Sequence, residues 1–268
     1  VKLVYLGTPE MAVPPLRALV ADGHEVALVV TRVDRRRGRG SAITPSPVKA
    51  AALELGIPVS HEVDDVLATG AELGVVVAFG RIIKPHVLAA VPMVNLHFSL
   101  LPRWRGAAPV ERALLSGDEV TGVCVMDVEE GLDTGGVYAR VEVPIGPTTT
   151  GDGLRAELVR VGTDLLVDTL RSGLGEPEPQ VGEPTYAAKI TPEELRIDWS
   201  RPAGELDRLV RLGGAWTTFR GERMKIHAAQ LTDDGRLLPT VVQPAGKGPM
   251  DFDAWRNGAR PAEGEWFE

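Results

Sequence analysis

The chain has 268 residues, 29 Lys and Arg against 37 Asp and Glu, and a formal net charge of −8. At 44% hydrophobic and 25% charged residues it can bury a core, which excludes wholesale disorder, and its acidity argues against non-specific nucleic-acid binding. The single cysteine, Cys124, excludes an internal disulfide and a Cys-rich zinc site.

No apolar run of about 18 residues occurs, so a transmembrane helix is not expected. The opening VKLVYLG lacks the basic and apolar regions of a signal peptide and reads as a strand, which with the lone cysteine predicts a cytoplasmic protein. Residues 10–22 put Met11, Leu16, Leu19 and Val20 on one helical stripe, with Pro14 and Pro15 in the first turns and Gly23 as the stop. Glu25 to Thr31 predicts a second strand, and Ser46-Pro47 opens a helix that ends near Leu55-Gly56. Leu73 to Phe79 and Met93 to Phe98 read as strands buried on both faces, and strand–helix alternation at this spacing predicts an α/β, mostly parallel sheet. Val120 to Val128 and Val137 to Val143 read as further strands joined by a Gly-rich loop, followed by an amphipathic helix over 152–172. Gly173 to Pro184, rich in Gly, Pro and Glu, reads as a linker. Beyond about Ala203 the short apolar pieces WTTF, MKIHAAQL and LLPTVVQ predict a small β domain. The domains expected are therefore 1–180, a linker over 181–203, and 204–268.

The densest group of reactive residues is MVNLHFSLLPRWRGAAP, 93–109. Alternation along a strand puts Asn95 and His97 on one face, at the carboxyl end where open α/β sheets bind ligands. An amide beside an imidazole can hold an oxyanion, although an isolated N-x-H is more often a satisfied core pair. A second group, VEEGLDTGG, presents Asp133 on a flexible loop. On spacing alone Asp133 is a turn cap; next to His97 it would favour positive charge on the imidazole and help pass a proton. Gly7-Thr8-Pro9 follows the first strand without the further glycines of a dinucleotide fingerprint, which disfavours NAD, and His24, His61, His86 and His227 are scattered rather than set as metal ligands. Charge is uneven: residues 1–60 hold eight Lys and Arg against five Asp and Glu, with Arg32, Arg35, Arg36, Arg37 and Arg39 clustered. Such a run is commonly a solvated loop, but on an acidic chain it would also steer a polyanion.

The words LGTPEMAVPPL, VVVAFGRIIK, NLHFSLLPRWRGAAPVERAL, TGVCVM, GLDTGG, TYAAKIT, RIDW and QPAGKGPM together resemble the methionyl-tRNA formyltransferases over nearly the whole length. That resemblance implies a formyltransferase-type, Rossmann-like, mostly parallel sheet with a smaller C-terminal OB-like β-barrel domain. It implies Asn95, His97 and Asp133 as the catalytic trio. For the co-substrate 10-formyltetrahydrofolate it implies Phe79, Gly80, Ile82 and Ile83 along the pterin pocket, and Ser99, Leu100, Leu101 and Pro102 as a cradle. The loop of Arg35, Arg36, Arg37 and Arg39 is implied to contact tRNA. The resemblance further implies initiator methionyl-tRNA as the partner, with no metal and no membrane, and a monomer is expected. Two departures stand out: Phe98 occupies a position where many relatives carry glycine, and the C-terminal part is short, with strands missing after Asp233. The rival readings are a formyltransferase for another amine, an amino sugar or glycinamide ribonucleotide, and a non-catalytic tRNA-binding relative.

Overall fold

The computed structural model describes residues 1–36 and 43–268. It forms two compact units, the first of Val1–Pro109, Val120–Pro144 and Arg155–Ala187, the second of Val110–Glu119, Ile145–Leu154 and Ala188–Glu268.

The first unit is built on a seven-stranded sheet. Its strands are β1 (Lys2–Gly7), β2 (Glu25–Val30), β3 (Val59–Ser60), β4 (Leu73–Val77), β5 (Met93–His97), β6 (Val120–Asp127) and β7 (Val137–Pro144). Their spatial order is β7-β6-β5-β4-β1-β2-β3. The run from β5 to β3 pairs in parallel, as the apolar strands predict, whereas β6 and β7 pair antiparallel. The short connection through GLDTGG permits that hairpin, because antiparallel neighbours need no crossover.

Local sequence sets most of the helices here. A 3₁₀ turn at Glu10–Ala12 leads into α1 (Val13–Ala21), whose Leu16 and Leu19 are buried, and Tyr5 pins the turn by donating to Ala12 O at 2.6 Å. Ser46 caps α2 (Pro47–Glu54) by accepting from the Lys49 amide at 3.0 Å, with Pro47 in the first turn. Pro85 likewise opens α3 (Pro85–Ala90), a helix absent from the sequence-based expectation. The long α5 (Gly151–Ser172) follows α4 (Pro109–Ser116) in the chain. Within the first unit, Gly162 lets α5 lie close to the sheet, since a Cβ there would stand 3.0 Å from Val123 Cγ1. Behind the strand ends lies a core of Val4, Leu6, Val30, Val76, Phe79, Ile83, Val87 and Met93.

The second unit holds a four-stranded antiparallel meander, β8 (Trp216–Phe219), β9 (Glu222–Leu231), β10 (Leu237–Pro244) and β11 (Met250–Asp251). A small β domain is present, but the segment from Ala203 begins with a helix, α6 (Ala203–Leu212), where strands were expected. Its Leu206, Leu209 and Val210 recur at helical spacing and bury against Met224, Ile226 and Val242. A second helix, α7 (Phe252–Ala259), is capped by Asp251, which accepts from the Asp253 and Ala254 amides at 2.9 and 3.1 Å. No helix among the described residues is long and apolar enough to cross a membrane.

Candidate active site

Strand β5 delivers two polar side chains to one face because alternate residues point the same way. Asn95 lies opposite Val76 of β4 and Met126 of β6, and His97 opposite Cys124. Packing on both sides leaves His97 only 5% exposed. Its Nε2 lies 2.9 Å from Trp104 O; a carbonyl can only accept, so Nε2 donates. The other ring nitrogen, Nδ1, faces Asp133 Oδ2 at 3.7 Å. Each ring nitrogen thus faces an acceptor oxygen, Nε2 within hydrogen-bond distance and Nδ1 just beyond it. Asn95 Nδ2 has a soft contact, the Met126 thioether at 4.0 Å, which leaves its donor capacity largely unspent. Cys124, beside His97 across the strand pair, is no rival nucleophile: burial pushes its thiol above the usual range, away from the reactive thiolate.

Two loops hold this pair. Beyond β5, Ser99 donates to Arg103 O at 2.6 Å, and the Leu101–Pro102 peptide is cis. Arg105–Gly106 then pairs in parallel with Tyr186–Ala187, and the Trp104 amide donates to Thr185 Oγ1 at 2.9 Å, so the carbonyl that meets His97 is anchored from outside its own loop. The second loop carries Asp133, whose Oδ2 accepts from the Gly106 amide at 2.7 Å. Close approach of Gly135 to Asp127 closes it, since a Cβ there would lie 2.1 Å from Asp127 O. Ala78, Trp104 and Asp133 all have left-handed backbones (φ 47°, 61° and 51°), a strain that persists only where the surroundings impose it. All three sit in loops that follow β4, β5 and β6 in the chain. Sequence reasoning missed Trp104, Gly106 and Thr185, which act through backbone or short hydroxyl contacts that carry no motif; it also passed over Gln180, inside the stretch read as a linker.

The expected folate residues fall just past the ends of two adjacent strands. Phe79, Gly80, Ile82 and Ile83 follow β4; Ser99, Leu100, Leu101 and Pro102 follow β5, its parallel neighbour. Phe79 and Ile83 point into the core, at 2% and 8% exposure, whereas Ile82 is 89% exposed. Arg32, not among the expected contacts there, donates to Gly80 O at 2.6 Å and ties the loop to the end of β2. Ser99 and Leu101 are buried, Leu101 against Cys124, Met126 and Val137. Of the arginine cluster, Arg35–Arg36 forms a short antiparallel ladder with Ile43–Thr44, while Arg37 and Arg39 lie outside the described residues. Among the described residues no group of three or more His, Cys, Asp or Glu is placed to hold a metal ion.

Residues 1–170 match the family model described as Formyl transferase, and 189–235 match the Formyl transferase C-terminal domain. The methionyl-tRNA formyltransferase of Dinoroseobacter shibae is 46% identical over 282 residues, covering 97% of this chain and 94% of its own. The chain belongs to the methionyl-tRNA formyltransferase family. The family member from Acidothermus cellulolyticus is 41% identical over 324 aligned positions that cover 100% of both chains. Because that alignment is longer than the 268 residues of this chain, internal segments of that methionyl-tRNA formyltransferase have no counterpart here. The fold agrees with the methionyl-tRNA formyltransferase structure from Clostridium thermocellum at a TM-score of 0.66, 16% identity, and coverage of 92% of this chain and 99% of that one.

Proposed function

We infer that the protein transfers the formyl group of 10-formyltetrahydrofolate to the α-amino group of methionyl-tRNA, giving the formylmethionyl initiator tRNA of translation initiation. One observation carries the chemistry: Asn95 and His97 share one face at the end of β5, and Asp133, on the loop after β6, sets its Oδ2 3.7 Å from His97 Nδ1. The near-full-length identity to methionyl-tRNA formyltransferases supports that acceptor over an amino sugar or a nucleotide amine.

The folate, when bound, supplies a formyl carbon joined to N10, and the residues at the ends of β4 and β5 suit it. Exposed Ile82 and half-buried Leu100 and Pro102 offer apolar surface, and the uncommitted amide of Asn95 offers a donor. The amine of the acceptor attacks the formyl carbon; a carbon–nitrogen bond forms there as the bond to N10 breaks. Asn95 donates to the oxyanion that develops, and His97 joins it by exchanging Trp104 O for that oxygen at Nε2. Asp133 holds the charge on His97 and relays the proton lost by the amine towards N10, so the proton count closes without a metal. Arg35, Arg36, Arg37 and Arg39 belong to this reading as contacts to tRNA phosphates, for which planar guanidinium forks are suited. A cytoplasmic location suits the single, buried Cys124.

Formylation assays with methionyl-tRNA, a nucleotide-linked amino sugar and glycinamide ribonucleotide test this directly. Turnover is expected on methionyl-tRNA. Faster turnover on either small amine, or none on any, would overturn the assignment.

A further inference from the structure

Gln180 makes an unusual set of contacts for a residue in a coil. Its Nε2 donates to Asp133 O and to Gly135 O, each at 2.8 Å, while its Oε1 accepts from Arg105 Nε at 3.1 Å and Nη2 at 2.7 Å. Backbone carbonyls can only accept and a guanidinium can only donate. The group between them must therefore give two protons at one end and take two hydrogen bonds at the other. A glutamine amide does both; glutamate would set a carboxylate oxygen against two carbonyls, and lysine would set an ammonium against a guanidinium. The same pattern fixes which way the amide faces, since a flip would unmatch all four contacts.

These bonds close a ring that runs through Asp133. Arg105 is tied to Gln180 through its side chain, and the next amide, that of Gly106, is tied to the Asp133 carboxylate at 2.7 Å. Gln180 returns to the Asp133 and Gly135 carbonyls, so the peptide plane after this left-handed aspartate and the one after Gly135 are both held. The neighbouring Glu178 exchanges both backbone hydrogen bonds with Val137, at 2.8 and 2.9 Å, and so fastens the stretch to the start of β7.

We propose that Gln180 is a positioning residue for formyl transfer: it locks the Asp133 loop to Arg105, so that the Asp133 carboxylate keeps its place against His97. The proposal rests on His97 and Asp133 being the reacting pair. Gln180 touches neither of their side chains, and its effect on rate passes entirely through Asp133.

Gln180→Glu tests this, because it keeps the size and the contact to Arg105 but removes both donors. Steady-state kinetics are measured on wild type, Gln180→Glu, Asp133→Asn and the double variant, with thermal melts to confirm folding. Gln180→Glu should lower kcat by about 10-fold or more, the scale of sub-ångström misplacement, with KM for folate and for methionyl-tRNA within about threefold. In the Asp133→Asn background the same change should cost less than about twofold, because no carboxylate remains to be aimed. Should Gln180→Glu fail to fold, Gln180→Met, which lacks the donors without adding charge, goes through the same cycle. Wild-type kcat in a folded variant, or losses that multiply in full with Asp133→Asn, would overturn the proposal. Wild-type kcat in Asp133→Asn would instead overturn the reading of the site itself and take this proposal with it.

Discussion

Replacing Asp133 by Asn removes both the charge facing His97 and the carboxylate that relays the proton. The amide can still accept from the Gly106 amide, and asparagine tolerates the left-handed φ of 51° at that position, so the loop should keep its shape. What is lost is the proton relay and the attraction between a carboxylate and an imidazolium, and the attraction alone sets a magnitude. At 3.7 Å and an effective dielectric of about 20, unit charges attract by about 4 kcal/mol. His97 and Asp133 are 5% and 14% exposed, so solvent screens the pair little, but the cost of burying two charges offsets part of the attraction. Taking between half and all of it as the loss in the transition state gives a fall in kcat of about 30- to 1000-fold. The assay is formylation of methionyl-tRNA under saturating folate, with KM for folate measured in parallel and expected to change by less than about threefold, since the carboxylate binds charge rather than pterin. A melting temperature within a few degrees of wild type establishes that the variant is folded. A folded Asp133→Asn enzyme with kcat within about threefold of wild type would refute an electrostatic role for this residue.

Three further outcomes are expected. Gly135→Ala would press a Cβ to 2.1 Å from the backbone oxygen of Asp127, which cannot rotate away, so it should cost about 1–3 kcal/mol, lower the melting temperature and reduce kcat; an unchanged melt would show that the loop relaxes freely. Glu265 is paired with both nitrogens of the Arg220 fork and with the Ala262 amide, which hold its carboxyl down to about 2. A depressed carboxyl stabilises the fold above its unfolded value near 4.3 and loses that contribution as pH falls, so the gap in melting temperature between wild type and Glu265→Gln should narrow from pH 5 downwards; a gap independent of pH would remove the ion pair from the account. Replacing Arg37 and Arg39 by Ala should weaken tRNA binding and flatten its salt dependence by about one unit of slope per lost phosphate contact, with folate binding intact; an unchanged slope would make the loop a solvated one.

Local sequence decided the elements that need only their own neighbours. Alternation and apolar runs gave β1, β2, β4, β5, β6 and β7, Ser46-Pro47 marked the start of α2, and Gly23 stood past the end of α1 because its φ of 86° suits only glycine. Asn95 and His97 could be placed on one face for the same reason: their relation is a two-residue period. Helix α6 was legible too, in the spacing of Leu206, Leu209 and Val210, but the short apolar pieces that follow it drew the whole segment towards strands. Other features depended on chain segments that meet only after folding. The approach of Asp133 to His97 requires the β6–β7 hairpin to pair beside β5, and no spacing in the sequence encodes a distance across a sheet. Burial of Phe79 and Ile83 beside exposed Ile82 follows from the turn after β4, whose left-handed Ala78 no residue type announces. Gln180 shows the limit most plainly. Its flanks are Gly, Pro and Glu, which locally spell a linker, and its importance lies in one amide whose two ends are satisfied by Arg105 on one loop and by the carbonyls of Asp133 and Gly135 on another. Hydrogen-bond complementarity of that kind belongs to three segments at once, so only the tertiary structure could reveal it.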